Sequence, residues 1–174
     1  MEASNNENIE FINNIKELVK HEKIQEMRNY IQHGNTTTLT HCLIVSYYSY
    51  QLSRRLPFHM NRGSIIRGAM LHDFYLYDWH KPEESQRLHG FVHAKFALAN
   101  AKKYFDLNDI EVDIIKTHMW PLTLFQIPKS KEALLVCCVD KVCSLLETLY
   151  IPTMPKCYRQ LMRLINTGKV LNLG

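Results

Sequence analysis

An apolar run from residue 65 to residue 71 ends in a histidine followed by an aspartate, His72 and Asp73. Adjacent imidazole and carboxylate groups offer one nitrogen and one oxygen ligand, a mixture that borderline and hard divalent metal ions accept. The pair alone is weak support for a metal site, because a single histidine on an apolar face is more often a core residue. Further candidate ligands stand in or beside other apolar stretches: His41, His89, His93, His118 and Asp140.

Asp140 interrupts a long apolar stretch between residues 134 and 146. A buried carboxylate is costly unless a cation or a metal ion pairs with it. Taken alone, an ion pair with Lys141 or with a distant arginine explains Asp140 equally well. Together with His41 and the His72–Asp73 pair, a metal site becomes the better interpretation.

Composition is typical of one globular domain that binds no membrane. The chain has 174 residues, 46% of them hydrophobic and 22% charged, with a formal net charge of +4. The basic residues are scattered, so a nucleic-acid surface is not indicated. We expect a cytoplasmic protein, since the N-terminus lacks the pattern of an export signal and the five cysteines form no CxxC pair.

The spacing of apolar residues is helical almost throughout and predicts an all-α fold. No stretch shows convincing β-alternation. The threonines at 36–38 are candidate N-caps for the helix that carries His41, and Asp106 and Asp109 are candidates for the helix that ends at His118. Helices are predicted over about 6–20, 22–32, 36–54, 62–73, 90–104, 108–118, 131–149 and 156–167.

The ordered ligand set, spread over residues 36–150, resembles the HD-domain superfamily of metal-dependent phosphohydrolases. The segments that carry the resemblance are Thr40-His41-Cys42, Gly68-Ala69-Met70-Leu71-His72-Asp73, Leu88-His89-Gly90-Phe91-Val92-His93-Ala94, Ile115-Lys116-Thr117-His118-Met119 and Cys138-Val139-Asp140-Lys141. The resemblance implies a single domain over residues 1–174, an HD-domain-like helical bundle with a metal site in its centre and the terminal helices packed on it.

The resemblance also implies which residues bind metal. The first ion is expected on His41, His72, Asp73 and Asp140. Two further histidines, His89 and His118, are expected to hold a second ion, with Asp73 bridging the two. His93 lies one helical turn after His89, and we expect it to support the site or contact substrate rather than bind an ion.

Two divalent ions can hold a hydroxide between them and orient a phosphoryl group for attack. The ligand types suit Fe, Mn, Co, Ni or Zn, with Mg also open. Because phosphoryl transfer spreads negative charge over oxygen atoms, nearby cations are candidate catalytic or substrate-binding groups. These are Lys141, Arg67 and Arg87, although a solvated surface charge explains each of them as well.

The sequence thus predicts hydrolysis of a small phosphorylated compound, with a nucleotide the favoured substrate. If the substrate is a nucleotide, Trp79 is a candidate to stack on its base, although filling the core explains most of the aromatic rings as well. The catalytic residues expected are Asp73, Lys141 and Arg67. Two alternatives stay open: a di-iron oxygenase built on the same ligand set, and a regulatory module that binds a metal or nucleotide without catalysis. Homo-oligomerisation is not decided by the sequence.

Overall fold

The computed structural model describes residues 2–78 and 89–151, with side chains from residue 9 in the first range and from residue 90 in the second. Within these ranges the chain forms an all-α bundle with one small hairpin, which confirms the predicted fold class. The predicted helix near 156–167 lies outside the described residues. The elements are α1 (Glu2–Lys20), α2 (Glu22–Glu26), the 3₁₀ turn η1 (Met27–Asn29), β1 (Ile31–His33), β2 (Thr36–Thr37), α3 (Thr38–Ser53), α4 (Arg62–Leu71), α5 (His89–Tyr104), α6 (Asp109–Thr117) and α7 (Lys131–Thr148).

Helix α4 lies at the centre of the bundle and packs against α1, α3, α5, α6 and α7. One apolar cluster joins α3, α4, α6 and α7 through side chains that include Val45, Ile65 and Val136. A second cluster joins α1 and α5 to α3 and α4, with Phe11, Leu43 and Ala97 among its members. The central position of α4 lets the residues at its C-terminal end meet side chains from several other helices.

Side-chain caps decide where the helices begin. The hydroxyl of Thr37 accepts a hydrogen bond from the backbone of Thr40, and Ser130 caps α7 in the same way. Helix α6 begins with a capping box in which Asn108 and Glu111 satisfy each other's backbone amides. The prediction of Asp106 or Asp109 as this cap was wrong, because only Asn108 has a glutamate three residues later to complete the box.

The predicted helix over 22–32 and the expected absence of β-structure were both wrong for this segment. Helix α2 ends at Glu26, and β1 pairs antiparallel with β2 through the partners Ile31 with Thr37 and His33 with Thr36. Gly34 turns the chain with a φ of +54°, a conformation that glycine adopts without a steric penalty. A Cβ atom at Gly34 would lie 2.9 Å from the carbonyl oxygen of Glu147, so the hairpin packs closely on the end of α7.

Gly68 allows α4 and α6 to approach each other closely. A Cβ atom at this position would lie 2.7 Å from Cδ1 of Ile114 and 3.1 Å from its Cβ. The close packing brings together His72 and His118, which follow the last residues of these two helices and whose ring centroids are 4.9 Å apart.

No helix among the described residues has both the length and the apolar character needed to cross a membrane. The four cysteines in these ranges are free thiols. Cys42, Cys137 and Cys143 are buried, as expected for core residues, whereas Cys138 is exposed on α7. Cys157 lies outside the described residues.

We predict that Gly68→Ala destabilises the protein by about 1–3 kcal/mol, because the added methyl group overpacks the contact with Ile114. Gly63→Ala, in the same helix, is the matched control. A Cβ atom there comes no closer than 3.6 Å to its neighbours, so the free energy of unfolding should stay the same or rise by less than about 1 kcal/mol. Thermal and denaturant unfolding of both variants would measure this, and equal stability of the two would contradict the packing argument.

Candidate metal centre

Five helices bring six histidine and aspartate side chains, of types that can ligate a metal, to one buried cluster. His41 lies in the first turn of α3, and His72 and Asp73 directly follow α4. His93 comes from the second turn of α5, His118 caps the end of α6, and Asp140 is in the middle of α7. All six are buried. Apart from His93, these are residues that the sequence predicted as metal ligands.

Backbone carbonyls determine which nitrogen of His72 and His118 faces the cluster. Nδ1 of His72 lies 2.7 Å from the carbonyl oxygen of Ala69, and Nδ1 of His118 lies 2.8 Å from that of Ile115. A carbonyl oxygen only accepts hydrogen bonds, so each Nδ1 carries a proton and donates it. When either ring is neutral, its Nε2 therefore presents a lone pair to the centre of the cluster, as a metal ligand requires.

A buried carboxylate orients the ring of His41 in a similar way. Oε2 of Glu147 lies 2.8 Å from Nδ1 of His41, and Nε2 of the same ring lies 3.1 Å from Oδ1 of Asp140. A histidine that ligates a metal typically donates its other ring hydrogen to such an acceptor, which orients the ring and makes the ligating nitrogen more basic.

The two oxygens of Asp73 face two different groups of histidines. Oδ2 lies 3.3 Å from Nε2 of His72 and 3.7 Å from Nε2 of His41. Oδ1 lies 3.1 Å from Nε2 of His93 and 3.4 Å from Nε2 of His118. Asp140 stands on the first side only, where its Oδ1 is 3.5 Å from Nε2 of His72.

This donor set fits a divalent cation. The ligand atoms of His41, His72 and Asp140 lie within 4.8 Å of one another, and so do those of His72, Asp73 and His118. Nε2 of His72 and Oδ1 of Asp73 are buried and make no hydrogen bond within the described part of the chain. Nε2 of His93 lies 2.8 Å from Nε2 of His118, which leaves two ring nitrogens converging on one point. A metal ion satisfies such converging lone pairs and carboxylates together.

Without metal, protonated histidines beside ionised carboxylates stabilise the cluster. Burial alone would lower the pKa of His41, but hydrogen bonds with Asp140 and Glu147 outweigh burial and raise it to about 10. Burial would raise the pKa of Asp140, yet the hydrogen bond with His41 and the nearby His72 ring hold it well below its usual range. The pKa of His118 is lowered, chiefly by burial, so this ring is neutral and ready to ligate.

Sequence reasoning missed Glu147 and Gln32. Glu147 follows Asp140 by seven residues, which is about two helical turns, so the spacing along an apolar helix could have identified it. Gln32 gave no such signal, because its segment was predicted to be helical. Nε2 of Gln32 donates a hydrogen bond of 2.6 Å to Oδ2 of Asp73.

The predicted cations take different places. Lys141 lines a cavity beside the cluster, and its ammonium group donates to the carbonyl of His118 at 2.7 Å rather than to Asp140. Arg67 is bound to Glu111 at 2.8 Å and to the carbonyl of Asp106 at 3.0 Å. Glu111 lies in the first turn of α6, whereas His118 lies at its other end, so the structure does not bring Arg67 to the cluster. Arg87, Trp79 and the side chain of His89, with which α5 begins, lie outside the described part of the chain.

The cavity next to the cluster has a volume of about 820 Å³. The polar residues that line it include Asp73, Asp140 and Lys141. Four apolar side chains from the segment after α6 also line it: Met119, Pro121, Leu122 and Leu124. This volume is within the range of small-molecule sites in proteins.

Comparison with known proteins identifies no relative. No protein-family model matches the chain, and neither a curated protein nor a solved structure matches it.

We predict that Glu147→Gln weakens metal binding by about ten- to a hundredfold, since the amide orients His41 without adding the basicity that a carboxylate supplies. Glu132→Gln is the matched control, because Glu132 is a buried carboxylate of the same helix that instead accepts a bond from the backbone of Asn61. Titration with Co²⁺ against a competing chelator would measure both affinities. Equal affinities in the two variants would contradict a role for Glu147 at the metal.

We also predict that metal affinity rises with pH between 6 and 8. The pKa of His41 in the metal-free protein is about 10, so this ring is protonated throughout that interval and must lose a proton to ligate. Each displaced proton increases the apparent affinity by about tenfold per pH unit. Binding measured at several pH values in Mn²⁺ would test this, and a flat profile would contradict the displacement of a proton from His41.

Proposed function

We propose that the protein is a metal-dependent phosphohydrolase of the HD-domain type that works with two divalent ions. The observation that carries the proposal is the division of the Asp73 carboxylate, whose two oxygens face separate pairs of histidines. A carboxylate in this position is suited to bridge two ions. Paired ions act as Lewis acids and supply a hydroxide for in-line attack on a phosphoryl group.

The chain offers distinct residues for each ion. His41, His72, Asp140 and Oδ2 of Asp73 would hold the first, in agreement with the expectation from sequence. For the second, the described side chains next to Oδ1 of Asp73 are His118 and His93. We therefore assign His93 as a ligand rather than a supporting residue. The predicted role of His89 remains a prediction.

Lys141 supplies positive charge beside the cluster. Its ammonium group is held by the carbonyl of His118 and by Sγ of Cys137, 3.4 Å away, so it stays close to the cavity without neutralising Asp140. A fixed cation there offsets the negative charge that phosphoryl oxygens bring to the site.

The cavity favours a phosphate monoester with an uncharged organic part. Four apolar side chains line it, and Lys141 is the one lysine or arginine that lines it among the described residues. A triphosphate would bring several negative charges to a cavity with one such cation, whereas a nucleoside monophosphate would bring one phosphate for the cation and a base for the apolar side chains. We therefore propose a nucleoside monophosphate as the substrate class.

A phosphatase panel tests the function directly. Protein loaded with Mn²⁺, Co²⁺ or Ni²⁺ would be given nucleoside mono- and triphosphates, and phosphate release would be measured. We expect a higher kcat/KM for monophosphates and no activity in Asp73→Ala. Consumption of oxygen by the iron-loaded protein with no phosphate release would instead support the oxygenase alternative, and a metal-loaded protein active in neither assay would support the regulatory one.

We predict that His93→Ala reduces the metal content from about two ions per chain to about one and removes most hydrolysis, because the second ion loses a ligand. His33→Ala is the control. Its ring also lines the cavity, with its centroid 5.3 Å from that of His41, but it belongs to neither ligand group. Metal analysis after gel filtration would measure the content, with His89→Ala in parallel. Loss of the second ion in His89→Ala but not in His93→Ala would overturn the assignment of His93.

A further inference from the structure

Gln32 is a buried glutamine whose amide contacts the bridging carboxylate, and no part of the predicted site included it. Its Nε2 donates to Oδ2 of Asp73 at 2.6 Å, and its side chain is 6% exposed. Gln32 belongs to the hairpin, which packs on the end of α7 through Gly34. A buried amide at hydrogen-bond distance from a buried carboxylate has a strongly preferred orientation.

That orientation follows from charge. If the amide were reversed, its oxygen would face Oδ2 of Asp73 at the same short distance, and two acceptors would repel each other. With Nε2 directed at Asp73, Oε1 of Gln32 needs a donor. The hydroxyl of Tyr75 donates to it, and the hydroxyl of Thr38 lies 3.1 Å from that of Tyr75.

The result is a directed chain of two hydrogen bonds, from the Tyr75 hydroxyl to Gln32 and from Gln32 to Asp73. The Thr38 hydroxyl lies beside this chain and donates its one hydrogen to the carbonyl of Tyr30 at 3.2 Å. The backbone of Tyr75 is anchored, since the amide of Asn100 donates to its carbonyl at 3.0 Å. Thr38, Tyr75 and Gln32 are all buried.

We propose that Gln32 is a positioning residue that keeps the two oxygens of Asp73 on different metal ions. The hydrogen bond from Nε2 holds Oδ2 on the side of His41 and His72, which leaves Oδ1 directed at His93 and His118. Without this bond the carboxylate can rotate and place both oxygens on one ion. The inference rests on the proposed two-ion centre and adds the residue that makes one carboxylate serve both ions.

The test replaces the donor while keeping the volume of the side chain. Gln32→Met is expected to weaken binding of the second Mn²⁺ by about ten- to a hundredfold and to change binding of the first by less than about threefold. Electron paramagnetic resonance should show the signal of coupled Mn²⁺ pairs in the wild type and that of single Mn²⁺ ions in the variant. Gln51→Met is the matched control, because Gln51 lies at the opposite end of α3 from His41, and this variant should behave as the wild type.

A second variant keeps the test decisive if Gln32→Met does not fold. Tyr75→Phe retains the ring but removes the donor to Oε1 of Gln32, and should weaken the second ion selectively by a smaller factor. Equal weakening of both ions, or an unchanged second ion in a folded variant, would overturn the inference, as would a wild type that holds a single Mn²⁺. Two coupled ions and a selective Gln32 effect without any phosphate release would sink the phosphohydrolase proposal and leave this inference standing.

Discussion

The buried carboxylate of Asp73 is the group on which the rest of the centre depends. It lies between four imidazole rings, and its burial would be prohibitively costly without compensating charge. Burial raises its pKa, but the charge of His72 and interactions with the other neighbouring histidines hold that pKa well below the usual range. Every histidine around it must therefore present either a proton or a metal ion to it, and the surrounding structure determines which nitrogen does so.

Three of those rings are oriented by groups that do not themselves face the centre of the cluster. Two of them donate to carbonyls of their own helices, and His41 donates to Glu147. The two contacts with carbonyls cost little free energy, because the last carbonyls of a helix have no partner within it. Placing a histidine directly after the last helical turn thus satisfies a carbonyl and aims Nε2 outward at the same time.

Close packing sets the distances between the ligands. The approach of α4 to α6 at Gly68 brings His72 and His118 within reach of one carboxylate, and the approach of the hairpin to α7 at Gly34 brings Gln32 to the same group. Helix α6 also has a different role at each end. At its start Glu111 forms an ion pair with Arg67, and directly after its end lies His118, a member of the cluster.

Sequence by itself determined the all-α fold, most helix bounds and the residues His41, His72, Asp73, His118 and Asp140, because apolar periodicity and isolated polar residues in apolar runs are local signals. It could not supply the hairpin, where a glycine turn and β-branched residues overrode a weak helical pattern, nor the capping role of Asn108 over its acidic neighbours. The tertiary structure alone decided that His93 faces Asp73, that Arg67 is paired with Glu111, and that Glu147 and Gln32 contact His41 and Asp73. The physical reason is distance along the chain: Gln32 meets Asp73 across 41 residues and His41 meets Glu147 across 106, and only the packed helices bring such residues together.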